Sequence, residues 1–361
     1  MDKKIVLATA GAGKTYYIAN HFRDNERVLL ISYTRANVEN IRREIEKRYD
    51  GKVPKNITVS TFDSFVYNFL LRPMEPLLNF ENIKSNGVDI HSQPITDPRK
   101  RHLYYKIDHL RHFMNPYNEY FVNRMSKLFI KQKIKYKNTA LERTKKYFDS
   151  IYFDEFQDFN GNDFKTINYI IENININVYA VGDIFQSNVT PIKFDGRGSS
   201  SPFDKIKNQE DLENKFSDNI LFDNTTLLKS RRVSTNICEF VRENLKINIF
   251  PHTDKQSSIK FLTQVEEVDT ILSNKNIPKL IWNSKLIHTK GKNYVNWSYS
   301  KGDTYDVACV ILTHRASNLE EWTQLPISTR NKLYVALTRS KGDLYLIKAP
   351  LYKHWQESFD K

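Results

Sequence analysis

Short continuous apolar runs alternate along this chain with segments whose apolar residues recur at helical spacing. Residues 5–7, 27–32 and 57–60 read as strands, and Val38, Ile41 and Ile45 predict a helix running through Arg48 that Gly51 and Pro54 bring to an end. Two further strands are expected at 151–153 and 178–181, separated by a helix whose N-cap lies around 160–163. Strands that are apolar throughout are buried on both faces, so alternation with helices implies a parallel sheet with covering helices.

A second α/β rhythm begins near Leu227. It predicts a helix over 234–245, strands at 259–262, 280–282 and 307–312, a helix over 328–339 and a last strand at 344–347. The polar, Gly/Ser-rich segment 188–224 separates the two rhythms, with 196–202 reading as an exposed loop. Between residues 66 and 146 the rhythm stops, several prolines intervene, and a helical stretch is expected from Arg99 onward. The expected organisation is therefore α/β with two parallel-sheet units. The first is formed by 1–66 and 147–225 around a basic, mainly helical insert at 67–146, and the second by 226–361.

At 361 residues, 40% hydrophobic and 13% aromatic, the chain can bury two cores, which excludes a mostly disordered protein. A net charge of +13 and a pI near 9.4 make a polyanion, most simply nucleic acid, the first partner to consider. Residues 97–146 hold 14 Lys or Arg against 4 Asp or Glu, with Tyr104, Tyr105, Phe113, Tyr117, Tyr120, Phe121, Phe129 and Tyr136 interleaved. Two readings of that stretch stand side by side: a solvated face over ordinary aromatic core, or a surface lying on nucleic acid. Cys238 and Cys309 have neither disulfide nor zinc spacing and are expected to be reduced core residues. There is no signal-peptide pattern and no long apolar run, so the expectation is a soluble protein of the cytoplasm, in a bacterial or phage-infected cell, with no membrane partner.

The most specific chemistry lies at residues 8–15, ATAGAGKT, between the first strand and the start of a helix. Small residues let the backbone curl so that successive N–H groups face phosphate oxygens at a helix N-terminus. Ala10, Gly11, Ala12, Gly13, Lys14, Thr15 and Tyr16 form the candidate nucleotide site, with Lys14 reaching the β- and γ-phosphates and Thr15 holding Mg²⁺. Phosphoryl transfer also needs a metal ligand and a base. Asp154 and Glu155 end an apolar strand and supply the metal ligand and the proton acceptor, while Gln186 at the next strand edge offers an amide to the γ-phosphate.

The order of these segments resembles the UvrD/Rep-type superfamily 1 DNA helicases. ATAGAGKT, SYTRAN (32–37), TFDSF (61–65), DEFQD (154–158), VGDIFQS (181–187), LLKSRRVSTNI (227–237), KGDTYDVACVIL (301–312) and KLYVALTRSK (332–341) are similar to the motifs of that family, in its order. The resemblance implies two RecA-like P-loop NTPase domains with ATP and Mg²⁺ in the cleft between them. It also implies Arg232 and Arg339 as charge-neutralising fingers from the second domain, a role for which guanidinium geometry is suited. Tyr33, Thr34, Arg35, Thr61, Phe62, Ser64 and Phe65 resemble positions that contact single-stranded nucleic acid, by hydroxyls and N–H groups to phosphates and by rings to bases. The implied activity is an ATP-dependent single-stranded DNA translocase and helicase, 3′ to 5′ if the family's polarity carries over, with RNA left open as the strand.

The chain also departs from the family. The seven residues that precede ATAGAGKT in this sequence hold no adenine-reading Gln motif, Arg231 stands in place of Tyr, and Thr304 in place of a Glu near the sugar. The stacking aromatics after Ser187 are absent, which leaves Phe185 or Phe194 as substitutes, and the interval before Lys301 is too short for the family's large second-half insert. The alternatives are a DNA-stimulated ATPase that does not unwind, or a nucleic-acid-binding switch, acting with a protein partner. A small-molecule kinase is a third reading, but no acceptor-binding lid supports it.

Overall fold

In the computed structural model the described residues are 1–78, 80, 83–95, 99, 104–187 and 202–359. The chain opens with β1 (Lys3–Ala8), α1 (Lys14–Asn20), β2 (Val28–Ser32), α2 (Arg35–Arg48), β3 (Ile57–Thr61) and the short α3 (Phe62–Phe65), which runs on into a π-helical turn at Val66–Leu71. A two-stranded parallel ribbon, β4 (Gly87–Asp89) and β5 (Glu119–Phe121), precedes α4 (Met125–Lys131) and α5 (Ile134–Lys145). The α/β rhythm then resumes with β6 (Ser150–Phe153), α6 (Gly161–Asn173), β7 (Asn177–Gly182), α7 (Gln209–Glu213) and β8 (Leu221–Leu227). Six of these strands form one all-parallel sheet in the order β3-β2-β6-β7-β1-β8.

Side-chain alternation explains why this sheet is covered on both faces. Ile5, Leu29, Ile31, Ile151, Phe153, Val178 and Ala180 join one core, while their neighbours Val6, Val28, Leu30, Tyr152, Tyr179 and Val181 join the core on the opposite face. Leu227, where the sequence pattern starts the second unit, ends β8 and pairs with Ala8 in the first sheet.

Beyond it come β9 (Lys229–Ser230), α8 (Thr235–Leu245), β10 (Phe250–Pro251), β11 (Ile259–Phe261), α9 (Val265–Ser273), β12 (Lys279–Ile281), β13 (Tyr294–Asn296), β14 (Ala308–Ile311), α10 (Ile327–Leu337), β15 (Leu344–Ile347) and α11 (Ala349–Glu357). Five of them build a second parallel sheet, β11-β15-β14-β12-β13. Leu280, Ala308, Val310, Leu344 and Leu346 face one core, and Ile281, Cys309, Ile311 and Ile347 face the other. Cys238 and Cys309 are both buried and free. The fold is thus α/β with two parallel sheets. Among the described residues no helix is long and apolar enough to cross a membrane.

The stretch between residues 66 and 146 departs from the expected helical insert. Among the described residues its α-helices begin only at Met125, and residues 110–112 and 122–124 are single 3₁₀ turns; residues 100–103 of the expected helix lie outside the described residues. Its apolar side chains do not form a core of their own. Tyr67, Leu70, Phe113, Tyr120, Phe129 and Tyr136 pack in the same cluster as Ile151 and Phe153 of the first sheet. Most of the interleaved aromatics are therefore core, while Tyr104, Tyr105 and Tyr117 stay exposed.

Candidate functional site

The turn at residues 8–15 is stitched to the second half of the chain before any ligand is considered. Thr9 N–H donates to Leu227 O at 3.0 Å, its hydroxyl to Leu228 O at 3.0 Å, and Arg231 N–H donates to Gly11 O at 2.9 Å. Gly11 (φ 74°) and Gly13 (φ 88°) take left-handed conformations that favour glycine. Gly11 is also sterically required, since a Cβ there would sit 2.6 Å from Arg232 Cβ and 2.8 Å from Ser230 Oγ. Not every N–H of the turn is free for phosphate: Ala10 N–H donates to the Tyr334 hydroxyl at 2.9 Å and Ala12 N–H to Thr9 O at 3.2 Å. Gly13 precedes α1 with no side-chain cap, which leaves the first-turn N–H groups of Lys14 and Thr15 without a capping oxygen. Tyr16 is exposed at that helix start, under the Arg231 guanidinium 5.4 Å from its ring centroid.

The carboxylates lie beside this turn because β6 and β7 stand between β2 and β1 in the parallel sheet and end at the same edge. Asp154 is buried. Its Oδ2 accepts from Ser32 Oγ at 3.0 Å, while its Oδ1 meets no hydrogen-bond partner. Burial first, then the neighbouring Glu155 charge, push its pKa up to about 7. Glu155 adopts a left-handed backbone (φ 49°), and its carboxylate stands 3.4 Å from Lys14 Nζ and 3.3 Å from Lys301 Nζ. Burial alone would raise its pKa, but the two ammonium groups outweigh burial and hold it well below the usual carboxylate range. Lys301 also binds both oxygens of Asp158, at 2.5 and 2.7 Å, so one lysine from the second sheet's half grips two acids of the first.

The remaining expected residues gather at the same place, in surroundings the sequence did not foretell. Gln186 is buried and its amide donates to Asp183 Oδ2 at 2.8 Å, so it is held by a carboxylate of its own turn. Asp183 also accepts from Phe185 N–H and from the Tyr334 hydroxyl at 3.2 Å, and burial pushes its pKa up to about 6. Arg232 lies against Gly11. Arg339 is 1% exposed and donates to the carbonyls of Val335, Ser300 and Asp303 at 2.9 to 3.4 Å; burial, then Arg232, lower its pKa to about 9. Its guanidinium is thus largely spent on backbone, which makes it a fixed charge rather than a mobile arm. Lys301, Asp158, Asp183 and Tyr334 were not among the expected site residues. Each lies inside a segment that resembles a motif, and that was the available signal.

The expected nucleic-acid residues divide in two. Thr34, Arg35, Thr61 and Ser64 form a polar rim where the adjacent strands β2 and β3 end. Thr34 caps α2 by accepting from Asn37 N–H at 3.1 Å, and Thr61 caps α3 by accepting from Ser64 N–H at 3.2 Å. The rings do not join them. Phe62 and Phe65 are 1% and 0% exposed, packed in the core with Phe159 and Phe69, and offer no face to a base. Tyr33 is half-buried, edge-on to Phe159. Apolar periodicity decided these positions, and a resemblance read at the level of letters could not see it. Of the substitutes for the missing stacking aromatics, Phe185 lies under the Arg330 guanidinium at 5.4 Å, while Phe194 and the 196–201 part of the expected exposed loop lie outside the described residues.

Residues 2–108 match the UvrD/REP helicase N-terminal domain. No curated protein matches the chain. Among solved structures, the chain is similar to the arterivirus nonstructural protein 10 helicase. The identity is 15% and the TM-score 0.48, over 98% of this chain and 62% of that one. The same viral helicase in complex with DNA gives 13% identity and a TM-score of 0.48, over 97% and 63%. The helicase of porcine reproductive and respiratory syndrome virus (PRRSV) gives 10% and 0.46, over 96% and 52%. The chain spans about three fifths or less of the length of these structures.

Proposed function

We propose, from the match of residues 2–108 to the UvrD/REP helicase N-terminal domain, that this chain is an ATP-driven motor on single-stranded DNA. The observation that carries the reading is the convergence of Lys14, Asp154, Glu155 and Lys301 at one strand edge with Arg232 and Arg339 behind it. In this reading the triphosphate lies on the turn from Ala10 to Thr15, with Tyr16 and Arg231 at its mouth. Lys14 exchanges its contact with Glu155 for phosphate oxygens, which removes one of the two ammonium groups that hold that carboxylate's basicity down and lets it take a proton from the attacking water. The water oxygen bonds to the γ-phosphorus as the bond to the ADP oxygen breaks, and inorganic phosphate leaves. Arg232 and Arg339 neutralise the charge spread over the transferring group.

The donor set fits Mg²⁺, since Asp154 is a buried carboxylate with one oxygen unpartnered. Thr15 and Asp154 would hold the ion, which would supply positive charge to offset that of the phosphates. Lys301 joins the two halves of the cleft through Asp158 and Glu155, so closure around nucleotide and its release are coupled to the relative position of the two sheets. Thr34, Arg35, Thr61 and Ser64 would hold the strand's phosphates, with movement 3′ to 5′.

A motor that walks but separates strands only with a partner is favoured over an efficient helicase by one observation, the burial of Phe62 and Phe65. The test is steady-state ATP hydrolysis with and without a single-stranded oligonucleotide. The expected result is strong stimulation by the strand and a loss of about 10²–10⁴-fold in Glu155→Gln, with oligonucleotide binding retained. Turnover surviving in the variant, or indifferent to DNA and RNA alike, would remove the reading.

A further inference from the structure

Three of the four tryptophans, Trp297, Trp322 and Trp355, are completely buried and donate their indole N–H to protein oxygens at 2.8 to 3.0 Å. Trp282 differs. It follows β12 at the carboxyl edge of the second sheet, is half-buried, and meets Trp297 edge-on at 5.4 Å. Its N–H has no protein acceptor among the described residues, and residues 283–287 after it are exposed. Over its ring, 4.8 Å from the centroid, stands the ammonium of Lys332, which pairs with no carboxylate among the described residues.

This pair sits at the seam between the two halves. The residue before Lys332, Asn331, donates to Ser187 Oγ at 3.0 Å, at the end of the segment that follows β7. A flat indole and an unpaired ammonium beside the cleft are the two groups a single strand needs: a ring for the base and a charge for the phosphate. The ammonium is a replaceable occupant. A stacked base outweighs a cation on an accessible ring face, and a displaced ammonium gains a phosphate.

We propose that Trp282 and Lys332 form a base-stacking station for single-stranded DNA, in which Lys332 swings from the indole face to the backbone phosphate as a base takes its place. The inference rests on the single-strand reading above and supplies the ring contact that Phe62 and Phe65 cannot make.

The experiment is an intrinsic-fluorescence titration with oligo(dT), beside anisotropy of the same strand carrying a dye. Because the other tryptophans are buried, quenching reports on Trp282. Wild-type fluorescence is expected to fall on binding, and a strand of equal length with abasic sugars should bind more weakly without quenching. Trp282→Ala should bind oligo(dT) about tenfold more weakly. Trp282→Phe, which keeps a ring, should restore most of the affinity while showing no quenching. An unchanged far-ultraviolet circular dichroism spectrum in both variants controls for folding. Binding by anisotropy without quenching, or wild-type affinity in Trp282→Ala, would overturn the station and leave the motor standing. No binding of any single strand would remove both.

Discussion

The two halves of the cleft hold charge in opposite ways. The first sheet's edge carries acids that burial makes reluctant to ionise, Asp154 with a pKa near 7 and Asp183 near 6. The second half brings Lys301, Arg232 and Arg339, and burial weakens the charge of Arg339 in the same manner, to about 9. The first half sets Lys14 alone against several poorly solvated acids and the second crowds cations together, which is costly unless further partners are supplied. The halves supply each other: Lys301 to Asp158 and Glu155, Tyr334 to Asp183 and Ala10. A cleft built this way is sensitive to how closely its sides approach.

The strongest way to break this complementarity is Lys301→Met, which keeps the volume and removes the charge. Leaving Asp158 and Glu155 facing each other should cost about 3 kcal/mol, read as a lower urea midpoint at unchanged slope. Adding Asp158→Asn to the same protein should recover more than half of the loss, because the penalty lies in the unpaired acid. A double variant no better than the single one would mean that Lys301 acts through packing alone.

A smaller effect follows from Asp183. Its folded pKa, near 6, lies above the ordinary aspartate value, so the folded state binds the proton more readily than the unfolded chain. The contribution of this group to stability is therefore fully present below the unfolded pKa and is lost as pH rises through about 6. Stability relative to wild type should improve for Asp183→Asn by about 1 kcal/mol between pH 5 and pH 7.5, measured from urea midpoints at both pH values. A difference that stays flat over that window would show that Asp183 titrates as an ordinary carboxylate.

Fold and site were legible in the sequence to different depths. Strands such as 28–32 and 150–153 are apolar runs with few alternative structures, so pattern alone placed them within a residue or two. Of the strands of two or three residues, β11 and β12 were placed by their apolar runs, but β4, β5, β9, β10 and β13 carry no such run, nor does β8, whose residues 224–226 are exposed, and the second sheet's edge strand β13 was missed for that reason. At the site, residue types at strand ends named Lys14, Asp154 and Glu155 as candidates, because phosphate chemistry demands them. What could not be read was partnership. That Gln186 is bound to Asp183, that Lys301 spans two acids and that Phe62 is sealed in the core are consequences of three-dimensional packing between segments far apart in the chain.

The weakest effect, and the one that sharpens the contrast most, concerns the basic stretch in the first half. Lys131, Lys133 and Lys135 are exposed, whereas Lys137 lies over the Tyr169 ring at 4.2 Å and is already engaged. If the three exposed lysines meet phosphates, replacing them with Gln should leave nucleotide hydrolysis without DNA unchanged. It should weaken binding of every single strand alike and flatten the slope of log K against log salt by about 2, at roughly 0.7 per phosphate contact. An unchanged slope would return the stretch to a solvated face over the aromatic core. The same titration on Trp282→Ala should lower affinity with little change of slope, since a stacked base releases no counterion. The two regions then grip a strand by separable physics, charge in the first half and stacking in the second.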